Sequence, residues 1–199
     1  MLSISQTSRG FFCIEWISTE QGPKIINLEH LKSDIDFSNK NDLESILELY
    51  KSNVKSDSKS LSIILNSNKL LTSKIEVLDS LDRNNNIIDW HESNILGKEF
   101  CNNYYNYYFP VYSNNLYNYL CVYLPRKIKD NIINSSFSLG YEMRYLSIDI
   151  FSAALGARQI FYNEINSEYL IWKICNKNLH RLVLYNGNKL NAYIEIYKK

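Results

Sequence analysis

The strongest constraint on the fold is the order of five segments at the start of the chain. Leu2 to Gln6 is a short apolar strand, and Thr7-Ser8-Arg9-Gly10 is a turn in which Gly10 can take positive φ. Phe11 to Ile17 is a β-favouring run. Gln21-Gly22-Pro23 marks the next turn, and Lys24 to Leu31 reads as a third strand. Asn41-Asp42-Leu43-Glu44 has the pattern of a capping box, with Asn41 as cap and Glu44 reaching back. Leu43, Ile46, Leu47 and Tyr50 follow at the spacing of one helical face. Ser60 to Leu65 is then a short apolar strand. A helix between strands predicts a crossover onto a parallel neighbour, because parallel strands cannot be joined by a tight turn. The opening unit is therefore βββαβ.

A second pattern follows. Leu71, Ser73, Ile75 and Val77 share one face of a strand, and a helix is expected over about 85–100, with Ile88, Ile95 and Leu96 inward. Tyr104 to Tyr112 and Leu116 to Leu124 are two strands joined by Ser113-Asn114-Asn115. Pro125 can open a helix that Gly140 ends. Tyr141 to Ile150 reads as a strand and Phe151 to Asn163 as a helix. The last forty residues repeat the opening theme, with strands at Tyr169 to Ile174, Leu179 to Tyr185 and Leu190 to Tyr197. Asn186-Gly187 is a strong two-residue hairpin signal between the last two.

Composition narrows the function classes. The chain has 22 basic and 21 acidic residues and no long block of one sign, which argues against nucleic-acid binding by charge alone. The aromatic stretch 104–123 contains no Lys or Arg, as a nucleic-acid face would require. No run approaches the ~18 apolar residues that cross a bilayer, and no signal peptide is evident. Cys13, Cys101, Cys121 and Cys175 form no CxxC pair, and His30, His91 and His180 have no zinc spacing, so free thiols and no metal are expected. These features point to the cytoplasm. The excess of 25 Asn, 24 Ile and 16 Tyr over 6 Gly and 4 Ala fits AT-rich codons, so single Asn residues are not read as functional.

Three stretches carry a resemblance. Ile4 to Glu15 parallels a phosphate-binding opening turn of the form I-D-I-G-S-S-S-I-K-A-V-E. Ile88-Asp89-Trp90-His91-Glu92-Ser93-Asn94-Ile95 is a loose version of I-x-W-E-A-E-x-Y-I, and Ile148 to Arg158 is similar to V-D-V-E-P-F-A-L-A-R. In this order and spacing the chain resembles the actin-like ATPases of the PilM family. Those are cytoplasmic type IV pilus assembly proteins, relatives of the division protein FtsA and the secretion protein GspL. The resemblance implies an α/β, actin-like (RNase H-like) domain, its mixed sheet flanked by helices, with an inserted strand-helix-strand-strand (SHS2) subdomain. It implies a first actin-like subdomain over 1–68 and 125–165, the insert over 69–124, and the first β-meander of an incomplete second subdomain over 166–199. Whether the chain is a fragment or a shortened relative stays open.

The departures fall where the chemistry would be. In the family the first-turn Asp supports the Mg²⁺ shell, and the Gly lets backbone N–H groups approach phosphate. Here Ser5 and Thr7 stand in those places, with Ser8 and Arg9 completing the turn and Phe12 where many relatives have Lys. The second phosphate turn reads L-V-D-I-G-A-S-T-T in the family. In this chain Lys173 replaces its Asp and Cys175 its Gly, before Asn176. Lys173 could contact phosphate as a point charge, or both hairpins could simply hold the sheet together. Asp149 is the remaining carboxylate near the expected cleft, either a polar cleft residue or a strand-end cap.

These departures imply a degenerate nucleotide site, with ATP and Mg²⁺ disfavoured and no catalytic residue assigned. The resemblance then implies a cytoplasmic scaffold, peripheral at the inner membrane, of a type IV pilus or type II secretion-like assembly platform. Its partner would be the N-terminal cytoplasmic peptide of a membrane-anchored pilus or secretion protein, with an oligomer also open. Tyr104, Tyr105, Tyr107, Tyr108, Tyr117, Tyr119 and Tyr123 suit such a face, or are ordinary strand residues. A weakly active actin-like ATPase or an FtsA-like division protein is the alternative.

Overall fold

The computed structural model describes residues 1–77, 86–113, 116–161, 167–175 and 178–197. In chain order the elements are β1 (Leu2–Thr7), β2 (Gly10–Thr19), β3 (Gly22–Leu31), α1 (Asp42–Asn53), β4 (Ser60–Leu65), a 3₁₀ turn (Ser67–Lys69) and β5 (Leu71–Val77). Next come α2 (Asn86–His91), a π-turn (Glu92–Leu96), α3 (Gly97–Asn103), β6 (Tyr104–Ser113) and β7 (Leu116–Pro125). The chain continues through α4 (Arg126–Ser138), β8 (Glu142–Ile148), α5 (Asp149–Ile160), β9 (Glu168–Ile174), β10 (Leu179–Asn186) and β11 (Lys189–Tyr197). It is a mixed α/β protein, and its contacts divide it into two compact units.

The first unit holds Met1–Lys69 and Lys127–Asp149. Its five strands form one sheet in the order β3-β2-β1-β4-β8. β1, β2 and β3 are an antiparallel meander, whereas β4 runs parallel to β1 and β8 parallel to β4. That is the crossover the sequence predicts, and α1 supplies it. Leu2, Ile4, Phe11 and Cys13 lie on one face of the meander and are buried. α1 turns Leu43, Ile46, Leu47 and Tyr50 inward, and the Tyr50 hydroxyl donates to Glu15 on that same face. Glu15 is a buried carboxylate held by three donors: Asn27 Nδ2 at 2.7 Å, Tyr50 Oη at 3.2 Å and Ser56 Oγ at 2.8 Å. Burial, with the Glu15 charge and hydrogen bond beside it, raises the Tyr50 pKa well above its ordinary value, so the phenol remains the donor.

The second unit holds Leu70–Arg126 and Ile150–Lys199. Two three-stranded sheets build it, ordered β5-β7-β6 and β11-β10-β9. Ile75, Cys121 and Tyr123 form a buried cluster on the first of these, with Ile87, Leu96 and Phe100 from the helical arm packed against them. The second sheet is the C-terminal meander. Its Glu195 accepts from Arg181 Nε at 2.9 Å, Tyr193 Oη at 2.7 Å, Thr72 Oγ1 at 3.3 Å and Tyr197 Oη at 2.8 Å. Burial opposes the Glu195 charge, but these hydrogen bonds and the Arg181 guanidinium outweigh it and hold the carboxyl below its usual pKa.

Two local expectations are corrected. The helix expected over 85–100 is broken: α2 passes into a π-turn, and Gly97 at φ 75° separates that turn from α3. The capping box does not form, since Asn41 makes no side-chain cap bond. Instead the Asp42 carboxylate accepts the Asn39 N–H at 2.9 Å, which ties the entry loop to the first turn of the helix. The turn residues Asn114 and Asn115 lie outside the described residues.

Candidate functional site

In an open α/β sheet, ligands collect at the carboxyl ends of the parallel strands. In the first unit those ends are Thr7 of β1, Leu65 of β4 and Ile148 of β8. Polar side chains meet there. Gln6 is buried, and its Oε1 accepts the Asn66 N–H at 3.2 Å. Asp149 Oδ2 accepts the Ser67 N–H at 3.2 Å, and Asn66 Oδ1 accepts the Asn68 N–H at 3.0 Å. Three successive backbone donors after β4 are thus bound by oxygens of the chain itself. An incoming anion would have to displace these oxygens to use the same donors.

The β1–β2 turn is closed in a similar way. Thr7 Oγ1 donates to the Gly10 carbonyl at 3.0 Å and accepts the Arg9 N–H at 3.2 Å. The β2–β3 turn repeats the first of these bonds, with Thr19 Oγ1 donating to the Gly22 carbonyl at 2.6 Å. Both turns have the form Thr-x-x-Gly, and both glycines take positive φ, 134° and 108°. Ser8 and Arg9 are exposed on the first turn. Ser5 is half-buried in β1, opposite Phe12 of β2 and Ile64 of β4. Phe12 stacks on His30 with ring centroids 4.5 Å apart.

The expected site residues therefore separate. Ser5, Thr7, Ser8, Arg9 and Asp149 belong to the first unit. Lys173 is half-buried on β9 of the second unit, paired through the backbone with Arg181. Asn176 lies outside the described residues. Phe151 stands where the third motif has Glu, and its ring centroid is 4.6 Å from that of Phe109 in the second unit. Gln6 and Asn66 are the polar residues that sequence reasoning missed. Gln6 continues the alternation of Leu2 and Ile4, so a glutamine at an inward-facing strand-end position is the signal the sequence offers.

The remaining reactive groups are quiet. The four cysteines are free. Burial, with the Glu29 charge, pushes the Cys13 thiol up to about 12, so it stays protonated. Among the described residues no three His, Cys, Asp or Glu side chains are grouped to hold a metal ion. In the helical arm of the second unit, Glu92 Oε1 accepts from Asn106 Nδ2 at 2.9 Å and Tyr108 Oη at 3.0 Å. His91 is buried beside them with its ring edge-on to Tyr108, and its Nδ1 has no hydrogen-bond partner among the described residues.

No protein-family model and no curated protein matches the sequence. Solved structures do match. A chain of the PilM–PilN type IV pilus biogenesis complex superposes with a TM-score of 0.67 at 12% identity, over 98% of this chain and 61% of that one. The cytoplasmic domain of EpsL, an inner-membrane component of the type II secretion system of Vibrio cholerae, gives 0.54 at 11% identity, over 98% of this chain and 70% of that one. A Bacteroides thetaiotaomicron protein with an actin-like ATPase fold and unknown function gives 0.51 at 14% identity, over 99% and 69%. The fold is therefore that of the actin-like ATPases, and the chain spans about three fifths of the PilM–PilN complex chain it matches.

Proposed function

We propose that this chain is a scaffold of a type IV pilus or type II secretion-like assembly platform, with a degenerate nucleotide site. The structural likeness to the PilM–PilN complex and to the EpsL cytoplasmic domain supports an assembly role. One observation carries the non-catalytic half of the reading. The N–H groups of Asn66, Ser67, Asn68 and Arg9 are bound by Gln6, Asp149, Asn66 and Thr7. The residue set does not fit a magnesium nucleotide. Asp149 spends a carboxylate oxygen on a backbone donor, and the position of the third motif's Glu is an aromatic packed on another ring.

In this reading the partner is the N-terminal cytoplasmic peptide of a membrane-anchored pilus or secretion protein. The scaffold works on the cytoplasmic side, peripheral to the inner membrane. Among the described residues no helix is long and apolar enough to cross a membrane. Residues 69–124 serve as an SHS2-like insert between the two parts of the first actin-like subdomain, 1–68 and 125–165, and residues 166–199 open a second subdomain.

Two titrations test this. A fluorescent ATP analogue with Mg²⁺ should show no saturable micromolar binding, and magnesium-dependent micromolar binding would overturn the degenerate site. Synthetic N-terminal tails of membrane-anchored pilus and secretion proteins should include one that binds saturably. Failure of every tail would remove the scaffold reading.

A further inference from the structure

The helical arm of the second unit is built from pieces too short to hold themselves. α2 has six residues, the π-turn five and α3 seven. Gly97 at φ 75° separates the last two. Helical segments of this length are marginal in water, so the arm depends on its docking. Two features dock it on the sheet β5-β7-β6. Ile87, Leu96 and Phe100 pack on the buried cluster of Ile75, Cys121 and Tyr123. Glu92 Oε1 is shared by Asn106 Nδ2 at 2.9 Å and Tyr108 Oη at 3.0 Å, both from β6. A π-turn inside a helical segment is also a frequent mark of a functional position.

His91 is the weak point of this docking. It is only 7% exposed. Its Nδ1 and Asn106 Oδ1 are both buried without a hydrogen-bond partner among the described residues, so the two do not meet. A neutral imidazole tolerates this, because Nδ1 carries a lone pair. An imidazolium does not, because both ring nitrogens then donate, and a buried cation without an acceptor is far costlier than a buried lone pair. The titratable groups around the ring do not relieve it. Tyr108 faces it edge-on from β6. Cys121 and Tyr123 lie on β7 beneath the arm, and Cys101 of α3 lies beside Asn106. Burial raises Tyr108, Cys121 and Tyr123 above their ordinary values, so they are uncharged near neutrality. Glu92, on the arm itself, is the charge that acts on His91, and its Oε1 is already engaged. Burial outweighs that charge and lowers the His91 pKa below 6.5.

We propose that α2, the π-turn and α3 form an acid-released arm, in which protonation of His91 undocks residues 86–103 and uncovers the face of β5-β7-β6 at Cys121. The release is a local opening that leaves the first meander folded. It rests on neither the scaffold reading nor the nucleotide site. Once the arm is undocked, His91 titrates at its ordinary 6.5, so opening grows as pH falls below that value.

Cys121 reports the opening, because it is fully buried while the arm is docked. The intact chain is labelled with 4,4′-dithiodipyridine, which reacts with thiols in mild acid, and the mass added at each cysteine is followed by peptide mapping. The rate at Cys121 is divided by the rate for free cysteine at the same pH. Between pH ~7.5 and ~5.5 this ratio should rise about tenfold, the effect of one pH unit below the ordinary histidine value. Cys13 in the first unit should show no such rise. His91→Phe and His91→Gln do not titrate here, and each should remove the rise, so either serves if the other loses its thermal transition. A flat ratio in the wild type would overturn the proposal. So would a rise that persists in a folded His91 variant, or an equal rise at Cys13, which is global acid unfolding. A fall at Cys121 would overturn it too, since Glu92 or Asn106 would then be accepting the imidazolium in place.

Discussion

β1–β3 and β9–β11 are both antiparallel meanders with a hydrogen-bonded carboxylate, buried in the first and half-buried in the second, and they hold that carboxylate differently. In the first, Glu15 is met by an amide, a phenol and a hydroxyl, all neutral. In the second, Glu195 is met by the Arg181 guanidinium, two phenols and a threonine. The first meander is extended by parallel strands into a five-stranded sheet, while the second remains three-stranded with one open face. Removing the Arg181 cation would leave the Glu195 carboxylate without its counter-charge.

The largest expected effect separates the two turns of the first meander. Gly10→Ala would drive a Cβ into the Leu31 carbonyl, at a φ that L-residues avoid, whereas a Cβ at Gly22 meets open space. Gly10→Ala should cost about 3 kcal/mol or more, from strain plus displaced β3 backbone. Gly22→Ala pays only the backbone strain, about 1 kcal/mol. Denaturant unfolding of the two variants checks this, and equal losses would show that the β2–β1 turn does not need its close approach to β3.

The next effect compares the carboxylates. Arg181→Met leaves Glu195 largely buried beside three neutral donors, and the loss of one partner of such a pair is worth about 3 kcal/mol. Tyr50→Phe removes one of three neutral donors from Glu15 and should cost about 1–2 kcal/mol. If Tyr50→Phe proves the worse of the two, the cation in the second meander is dispensable and the contrast fails.

How far these contrasts could be read from sequence differs by type. α1 and the parallel crossover were legible because periodicity and turn residues act locally, as at Leu43, Ile46, Leu47 and Tyr50. The break at Gly97 was not, since a single glycine within a helical pattern is usually tolerated. The sequence marks Asp149 as a candidate, but its partner Ser67 is 82 residues away, and the Gln6–Asn66 contact spans 60. Neither leaves a local signal. In β9 both Ile171 and its neighbours Leu170 and Trp172 are apolar, so alternation could not say which face would lie open. The sequence also showed a departure well: Ser5 and Thr7 stand where the resembled family's opening motif has Asp and its first Gly.

Acid should distinguish regions by pH. Burial lowers the His91 pKa below its ordinary 6.5, against a smaller opposing effect of Glu92, and Tyr108 is the titratable group facing the ring from β6. A neutral His91 therefore contributes stability above pH ~6.5 that is lost as pH falls through the lower folded value. Glu195 behaves likewise further down. Its folded pKa is depressed below 4.5, so its contribution is present above that value and lost as pH falls through the folded one. Amide protection across residues 86–103, after correction for the base-catalysed intrinsic exchange rate, should fall between pH 7 and 5 in the wild type and less in His91→Phe, with the first meander unchanged. An equal fall in the two proteins would remove His91 as the cause.

The smallest effect tests whether the β1–β2 turn is anything more than a hairpin. Thr7 and Thr19 donate to Gly10 and Gly22 through the same hydroxyl geometry. Thr7→Val and Thr19→Val should therefore each cost about 0.5–1 kcal/mol, the net worth of one partly solvated hydrogen bond. Thr7→Val also frees the Arg9 N–H, which Thr7 Oγ1 otherwise accepts. If that donor had been withheld from a phosphate, its release should raise affinity for a fluorescent ATP analogue, and Thr19→Val should not. If the turn is purely structural, neither variant binds the analogue and the stability losses match. A gain confined to Thr7→Val would mean that the closed turn, and not the missing Asp and Gly alone, keeps the site from binding nucleotide.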